Sequence, residues 1–212
     1  MGVRLLLASS RPPLPPEFAG PGSRVAVIVN AQDRAGRRAR RHAASEEIEY
    51  LRNVGLVPSE LDLRGFDRGH AGLVAALQAA DLFWVAGGNV FVLRQAMRRS
   101  GFDLALHHLE RPLTYVGWSA GACVCGPTLR GLELVDELQR GLDPIWDGLG
   151  LVDFAIVPHF QSDPPLGPEI DRVVAFWKAE RTPHRALRDG ETISFSGQGL
   201  SAARGSRGGA LR

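Results

Sequence analysis

Short apolar runs separated by helical patterns recur along the chain, and this rhythm constrains the fold more than any other feature. Val3 to Ala8 and Arg24 to Asn30 are bounded by Pro, Gly and Asn, as strands buried on both faces of a parallel sheet require. Ala43 to Val54 has amphipathic spacing, with Ile48, Leu51 and Val54 on one stripe and glutamates opposite, and stops at Gly55. Leu56 to Leu63, Leu82 to Ala86 and Leu113 to Trp118 supply further strands, with helices over His70 to Ala80 and Val90 to Arg99, the latter closed by Gly101. Phe154 to Pro158, Pro168 to Glu180 and Thr192 to Phe195 continue as strand, helix and strand. The alternation predicts an α/β fold: an open, mostly parallel sheet flanked by helices, with ligands at the carboxyl ends of the strands.

Residues 1–196 are read as one domain and 197–212 as a Gly-, Ser- and Arg-rich tail. No internal repeat interrupts this. Residues 127–153 form a long connection in which a short strand is expected around Leu132 to Val135, and connections of this length often carry function.

Composition excludes several classes. With 212 residues, 44% hydrophobic and 23% charged, the chain is neither disordered nor too small to bury a core. Two cysteines, Cys123 and Cys125, are too few for a disulfide framework, and read as buried small side chains rather than metal ligands. No apolar run reaches the ~18 residues of a membrane helix, and the N-terminus makes a poor signal peptide, so a cytoplasmic protein is expected. The net charge is +2, yet Lys178 is the only lysine, an arginine skew that fits codon composition better than a nucleic-acid surface. The densest basic run, Arg34 to Arg41, lacks aromatics and precedes Glu46, Glu47 and Glu49, and reads as a solvated loop and helix start. No phosphate-binding loop is present, and no metal or organic cofactor is expected.

The chemistry concentrates in Tyr115-Val116-Gly117-Trp118-Ser119-Ala120-Gly121-Ala122, a Gly-x-Ser-x-Gly turn between an apolar strand and a helix-capable segment. Glycines on both sides permit a turn tight enough to push the Ser119 hydroxyl out of the backbone, with the Ala120 amide aimed at developing negative charge. The plainer reading is a serine that caps the helix. A second turn, Ala86-Gly87-Gly88-Asn89, follows the neighbouring strand, whose end lies roughly 5 Å away in a parallel sheet. Gly88 is the candidate second oxyanion donor and Asn89 a helix cap that also borders the substrate.

A serine nucleophile needs a base. Of six histidines only His159 directly follows an apolar strand; His42 and His70 fall near helix starts, His107 and His108 on a charged connection, and His184 in a polar loop. For the orienting acid, Asp163, Asp189 and Glu191 are all candidates, and spacing does not choose among them.

These landmarks together resemble the peptidase E family, the aspartyl dipeptidases related to cyanophycinase. Val85 to Phe91 is similar to the family's V-G-G-G-N-T-F, and Tyr115 to Ala122 with Gly126-Pro127-Thr128 to its Y-I-G-W-S-A-G-A and later P-T. Leu149 to Phe160 resembles L-x-L-x-x-x-x-x-P-H-[FY], and Leu187 to Gly190 resembles L-x-E-G. The resemblance implies a class I glutamine amidotransferase-like (flavodoxin-like) fold and a serine exopeptidase of dipeptides or very short peptides. It assigns Ser119 as nucleophile, His159 as base and Asp189 as acid, with Glu191 as the nearest substitute. Aspartate-specific members carry an arginine where this chain has Glu169, with only Arg172 nearby, so that specificity does not transfer. A hydrolase of another substrate (cyanophycinase-like or an esterase) and a non-catalytic binding protein are the alternatives. The sequence does not fix the oligomeric state; a homodimer is the assembly considered.

Overall fold

The computed structural model describes residues 2–66, 71–109, 111–138, 141, 143–162 and 167–198. His70, Asp163 and the tail beyond residue 198 lie outside the described residues.

Six strands form the main sheet in the order β3-β2-β4-β5-β1-β8. They are β1 (Gly2–Ala8), β2 (Arg24–Ile28), β3 (Val57–Glu60), β4 (Leu82–Val85), β5 (Leu113–Trp118) and β8 (Thr192–Gln198). All neighbours run parallel except β8, which pairs antiparallel with β1 from Ala8↔Thr192 to Gly2↔Gln198. The helices are α1 (Arg37–Asn53), α2 (Ala71–Ala79), α3 (Val90–Ser100), α4 (Phe102–Ala105), α5 (Ala120–Cys123) and α6 (Gly167–Ala179).

The apolar runs are buried on both sides because side chains alternate between two cores. Leu82 and Trp84 of β4 face one core with Leu6, Val27, Ala44 and Leu51. Phe83 and Val85 face the larger one with Leu5, Ile28, Leu77, Leu93 and Trp177. The first core is roofed by α1, and the second by the remaining helices.

Five sequence expectations need correction. The strand over Phe154 to Pro158, β6 (Ala155–Val157), does not join the main sheet; it pairs in parallel with β7 (His184–Ala186) in a separate two-stranded sheet. His184 therefore lies on a strand rather than in a loop, and main-chain pairing alone makes it one, since His-Arg-Ala has no apolar alternation. Leu132 to Leu134 form a 3-10 turn instead of a strand, because Gly131 at φ 98° bends the chain and Leu134 N–H bonds back to its carbonyl at 3.2 Å. Finally, Glu47 is buried rather than solvent-facing: it accepts the indole N–H of fully buried Trp84 at 2.7 Å. Val54, expected on the buried stripe, is 48% exposed at the helix end. Burial pushes the Glu47 carboxyl above its ordinary range.

The basic run is solvated except at one residue. Arg40 is buried and gathers Asp33 at 2.7 Å, Glu60 at 2.7 Å and Asp62 at 3.1 Å, tying the start of α1 to the loops after β2 and β3. Among the described residues no helix is long and apolar enough to cross a membrane. Arg40→Ala would leave three carboxylates facing each other. Its expected cost is about 2 to 3 kcal/mol in urea unfolding, below that of a fully buried pair because Glu60 and Asp62 stay partly solvated.

Candidate active site

Two backbone collisions shape the turn after β5. A Cβ on Gly117 would sit 2.2 Å from the Gly121 carbonyl oxygen, and one on Gly121 would sit 2.1 Å from that of Val85. Only hydrogen fits at either position. The Tyr115 hydroxyl donates to the Gly121 carbonyl at 2.7 Å, locking the far side of the turn. Between the two glycines Ser119 takes φ 51° and ψ −118°, a conformation that costs a non-glycine residue about 1–3 kcal/mol. Its side chain makes no helix-capping bond, so the reading of Ser119 as a plain cap fails. The following helix, α5, is a single turn of four residues, so any stabilisation of an anion here rests on local amides rather than on a long helix dipole.

The Ser119 Oγ lies 3.2 Å from His159 Nε2, and His159 Nδ1 lies 2.7 Å from Asp189 Oδ1. The three residues follow β5, β6 and β7, so both sheets contribute. His159 has φ 59°, and Ser162 fastens it by donating its hydroxyl to the His159 carbonyl at 2.7 Å. Glu191, the alternative acid, instead turns its carboxylate onto the Arg188 amide at 2.8 Å.

A residue that the sequence reading passed over ties this chain together. Ser9, fully buried directly after β1, accepts the His159 backbone N–H at 2.7 Å and donates its hydroxyl to Asp189 Oδ1 at 2.7 Å. Its own N–H bonds the Glu191 carbonyl at 3.2 Å, while Ser10 Oγ accepts from Gly190 N–H at 3.2 Å. The turn carrying Asp189 is thereby drawn to the end of β1, which lets the short aspartate reach the imidazole. A pair of serines closing the first strand was the available signal, since ligand-side residues gather at strand carboxyl ends.

Beside Ser119 is a cavity of about 180 Å³ lined by Gly88, Ala120, Cys123, Leu132, Val135, Asp136, Pro158, His159 and Ile170. Two larger concavities, about 870 Å³ over the start of α1 and about 310 Å³ beside Asp33 and Arg64, hold none of the three hydrogen-bonded residues. Gly88, at φ 138°, sits where a Cβ would strike Ala31 and Gln32, and Gln32 Nε2 holds the Gly87 carbonyl at 3.0 Å. The other proposed substrate contacts lie elsewhere. Asn89 spends both ends of its amide, accepting from Val92 N–H at 3.0 Å as the α3 cap and donating to the Glu137 carbonyl at 2.8 Å. Glu169 and Arg172 pair with each other at 2.9 Å on the outer face of α6, while Ile170, on its inner face, enters the cavity wall. Cys123 and Cys125 are free and buried; burial pushes the Cys125 thiol up to about 12.

Asp136 is the second unanticipated residue. It ends the 3-10 turn of the long connection and accepts the Val90 N–H at 2.7 Å. Burial pushes its carboxyl up to about 6, with the Val90 bond and the nearby His159 opposing the rise. Nothing in the sequence singles it out beyond its place in a long loop.

An α/β sheet with a strained serine at a strand end, bonded to a histidine and an acid, is the arrangement of nucleophile-elbow hydrolases. Comparison with known proteins narrows this. The profile of peptidase family S51 matches residues 34–203, and the chain belongs to that family. It is 33% identical over 116 residues to an uncharacterized peptidase of Listeria monocytogenes, covering 54% of this chain and 56% of that one. With peptidase E of Streptomyces coelicolor it shares 34% over 165 residues, covering 74% and 66%. The chain thus spans little more than half the length of the Listeria relative. The crystal structure of a candidate peptidase E from Listeria monocytogenes EGD-e superposes with a TM-score of 0.74 at 25% identity, covering 94% of this chain and 96% of that one.

Two measurements follow from this geometry. Ser9→Ala strands a buried amide and frees the Asp189 carboxylate, an expected loss of about 1–3 kcal/mol in urea unfolding against well under half of that for Ser10→Ala. For Asp136, the folded chain holds the proton to about pH 6 and the unfolded chain only to 3.8. The folded state binds more protons between those values, so stability falls as pH rises through the window. Asp136→Asn abolishes that fall and is expected to be more stable than wild type at pH 7, by on the order of 1 kcal/mol after solvent screening.

Proposed function

We propose that this protein is a serine exopeptidase of dipeptides or very short peptides, built on a class I glutamine amidotransferase-like fold. The observation that carries the reading is the bonded series Ser119 Oγ, His159 Nε2, His159 Nδ1, Asp189 Oδ1, at 3.2 and 2.7 Å. In this reading the Ser119 oxygen attacks the scissile carbonyl carbon while His159 Nε2 takes its proton, and Asp189 holds the ring and its charge. The Gly88 and Ala120 amides receive the oxyanion, each worth about 3 kcal/mol in the transition state. His159 returns the proton to the leaving amine as the C–N bond breaks. Water, deprotonated by the same nitrogen, then releases the acyl group from Ser119.

The small cavity of about 180 Å³ beside Ser119 is in keeping with a short substrate. The test is hydrolysis of a dipeptide panel by wild type and Ser119→Ala. Turnover by the wild type and a loss of roughly 10⁴-fold or more in the variant is the expected result. Activity retained without the hydroxyl, or none on any dipeptide from folded protein, would sink the peptidase and favour another substrate or a binding role.

A further inference from the structure

The Gly88 N–H, the proposed second oxyanion donor, has no hydrogen-bond partner among the described residues. Its direction is set by the other end of its peptide, the Gly87 carbonyl. Resting on the peptidase reading, we propose that Gln32 is a positioning residue for the oxyanion hole: by holding the Gly87 carbonyl it aims the Gly88 N–H at the substrate oxygen.

Peptide geometry is the first argument. In a planar trans peptide the C=O and the N–H that follows it point in opposite directions. Gln32 Nε2 donates to the Gly87 oxygen at 3.0 Å, on the side of the turn that faces the loop after β2. The Gly88 N–H is thereby turned away from that loop, and Gly88 borders the cavity that Ser119 lines. The turn abuts the elbow, since a Cβ on Gly87 would lie 3.0 Å from that of Ser119. The Gln32 bond also polarises the peptide and strengthens the Gly88 N–H as a donor.

Freedom is the second. Both residues of this peptide are glycine, and Gly88 stands at φ 138°, so side-chain sterics offer little resistance to turning it over. The ends of the turn are tied to the loop after β2 by main-chain bonds, from Ala86 N–H to the Ile28 carbonyl at 3.0 Å and from Asn89 N–H to the Ala31 carbonyl at 3.1 Å. Neither bond engages the Gly87–Gly88 peptide. Among the described residues Gln32 Nε2 is the one hydrogen-bonding group that does. Reversed, the peptide would present the Gly87 oxygen to the developing oxyanion and repel it.

The anchor is the third. Gln32 ends the 3-10 turn Asn30–Gln32, and its own N–H bonds the Val29 carbonyl at 2.9 Å. Fully buried Asn30 donates to Asp33 at 2.9 Å and Asp62 at 3.2 Å, and accepts the Leu63 N–H at 3.1 Å. Arg40 grips the same two aspartates from α1. The brace on Gly87 therefore starts from a loop held by its own buried network. Across the turn the Trp118 indole leaves no room for a side chain, standing 2.4 Å from where a Gly87 Cβ would be.

The test compares wild type with Gln32→Met and Gln32→Glu on the dipeptide turned over fastest, and with the α-aminoboronic acid that matches its first residue. The tetrahedral adduct of that acid on Ser119 places an oxygen where the oxyanion forms. Methionine keeps the length and removes the N–H, whereas glutamate sets a second acceptor against the Gly87 carbonyl. Folding of both variants is checked by thermal unfolding. The expected fall in kcat is about tenfold for Gln32→Met and about a hundredfold for Gln32→Glu, the latter matching the loss of one oxyanion donor, with KM within about twofold of wild type. The boronic acid should weaken by the same factors, because it and the transition state meet the same amide. A brace that serves only the fold would lower the unfolding midpoint and leave kcat unchanged well below it, and that outcome overturns the proposal. So does a loss carried by KM, or boronic acid affinity that stays at the wild-type level while kcat falls. Where one variant fails to fold, the other decides alone. No hydrolysis of any dipeptide by the wild type overturns the peptidase reading itself, so the two failures are told apart.

Discussion

The end of β1 holds the site together. The Ala8 carbonyl accepts the Ser119 N–H at 3.0 Å, and the Ser9 hydroxyl accepts from His159 and donates to Asp189. Ser119 rides on the main sheet, whereas His159 and Asp189 ride on the two-stranded sheet of β6 and β7. The Asp189 turn leads into β8, whose pairing with β1 includes Ala8↔Thr192, and Ala8 and Ser9 add hydrogen bonds to Ser119, His159 and Asp189 whose loss would leave buried polar groups dry. A shift of 1 Å between the sheets would separate Oγ from Nε2, and such displacements cost reacting groups about a hundredfold.

Strain is spent at the same place. Ser119 and His159 both have positive φ without being glycine, and each is over-determined by its surroundings. At Ser119 the restraint is steric: Gly117 against Gly121, Gly121 against Val85, and the Tyr115 hydroxyl behind them. At His159 it is polar, through Ser9 and Ser162. The burial of β1, β2, β4 and β5 on both faces supplies the stability that sustains these conformations.

Most of this frame was legible in the sequence because its signals are local. Apolar runs gave the main-sheet strands, and a run buried on two faces needs no knowledge of its partners. The Gly-x-Ser-x-Gly spacing pointed to a close backbone approach that the turn indeed has. What escaped depends on long-range pairing. β7 has no apolar pattern and exists through its bonds to β6; Glu47 looked solvated because its indole partner lies 37 residues away. Ser9 is 150 residues from His159 and 180 from Asp189, and no local pattern marks a serine for such a role. Asp136 sits in a connection with no regular periodicity at all. In α6 the periodicity was clear but its phase was not: Glu169 and Arg172 face outward, and Ile170 between them faces the cavity.

The division of labour between sheet and loops follows from these constraints. Residues at the strand ends are fixed by backbone approaches that leave no room for a Cβ at Gly117 or Gly121, so they can hardly change without losing the turn. The far wall comes from the long connection after α5 and from one face of α6, held by caps, ring contacts and single hydrogen bonds such as Trp177 Nε1 to the Arg130 carbonyl at 2.5 Å. Such a wall can exchange one charge for another while the serine, histidine and aspartate stay where they are.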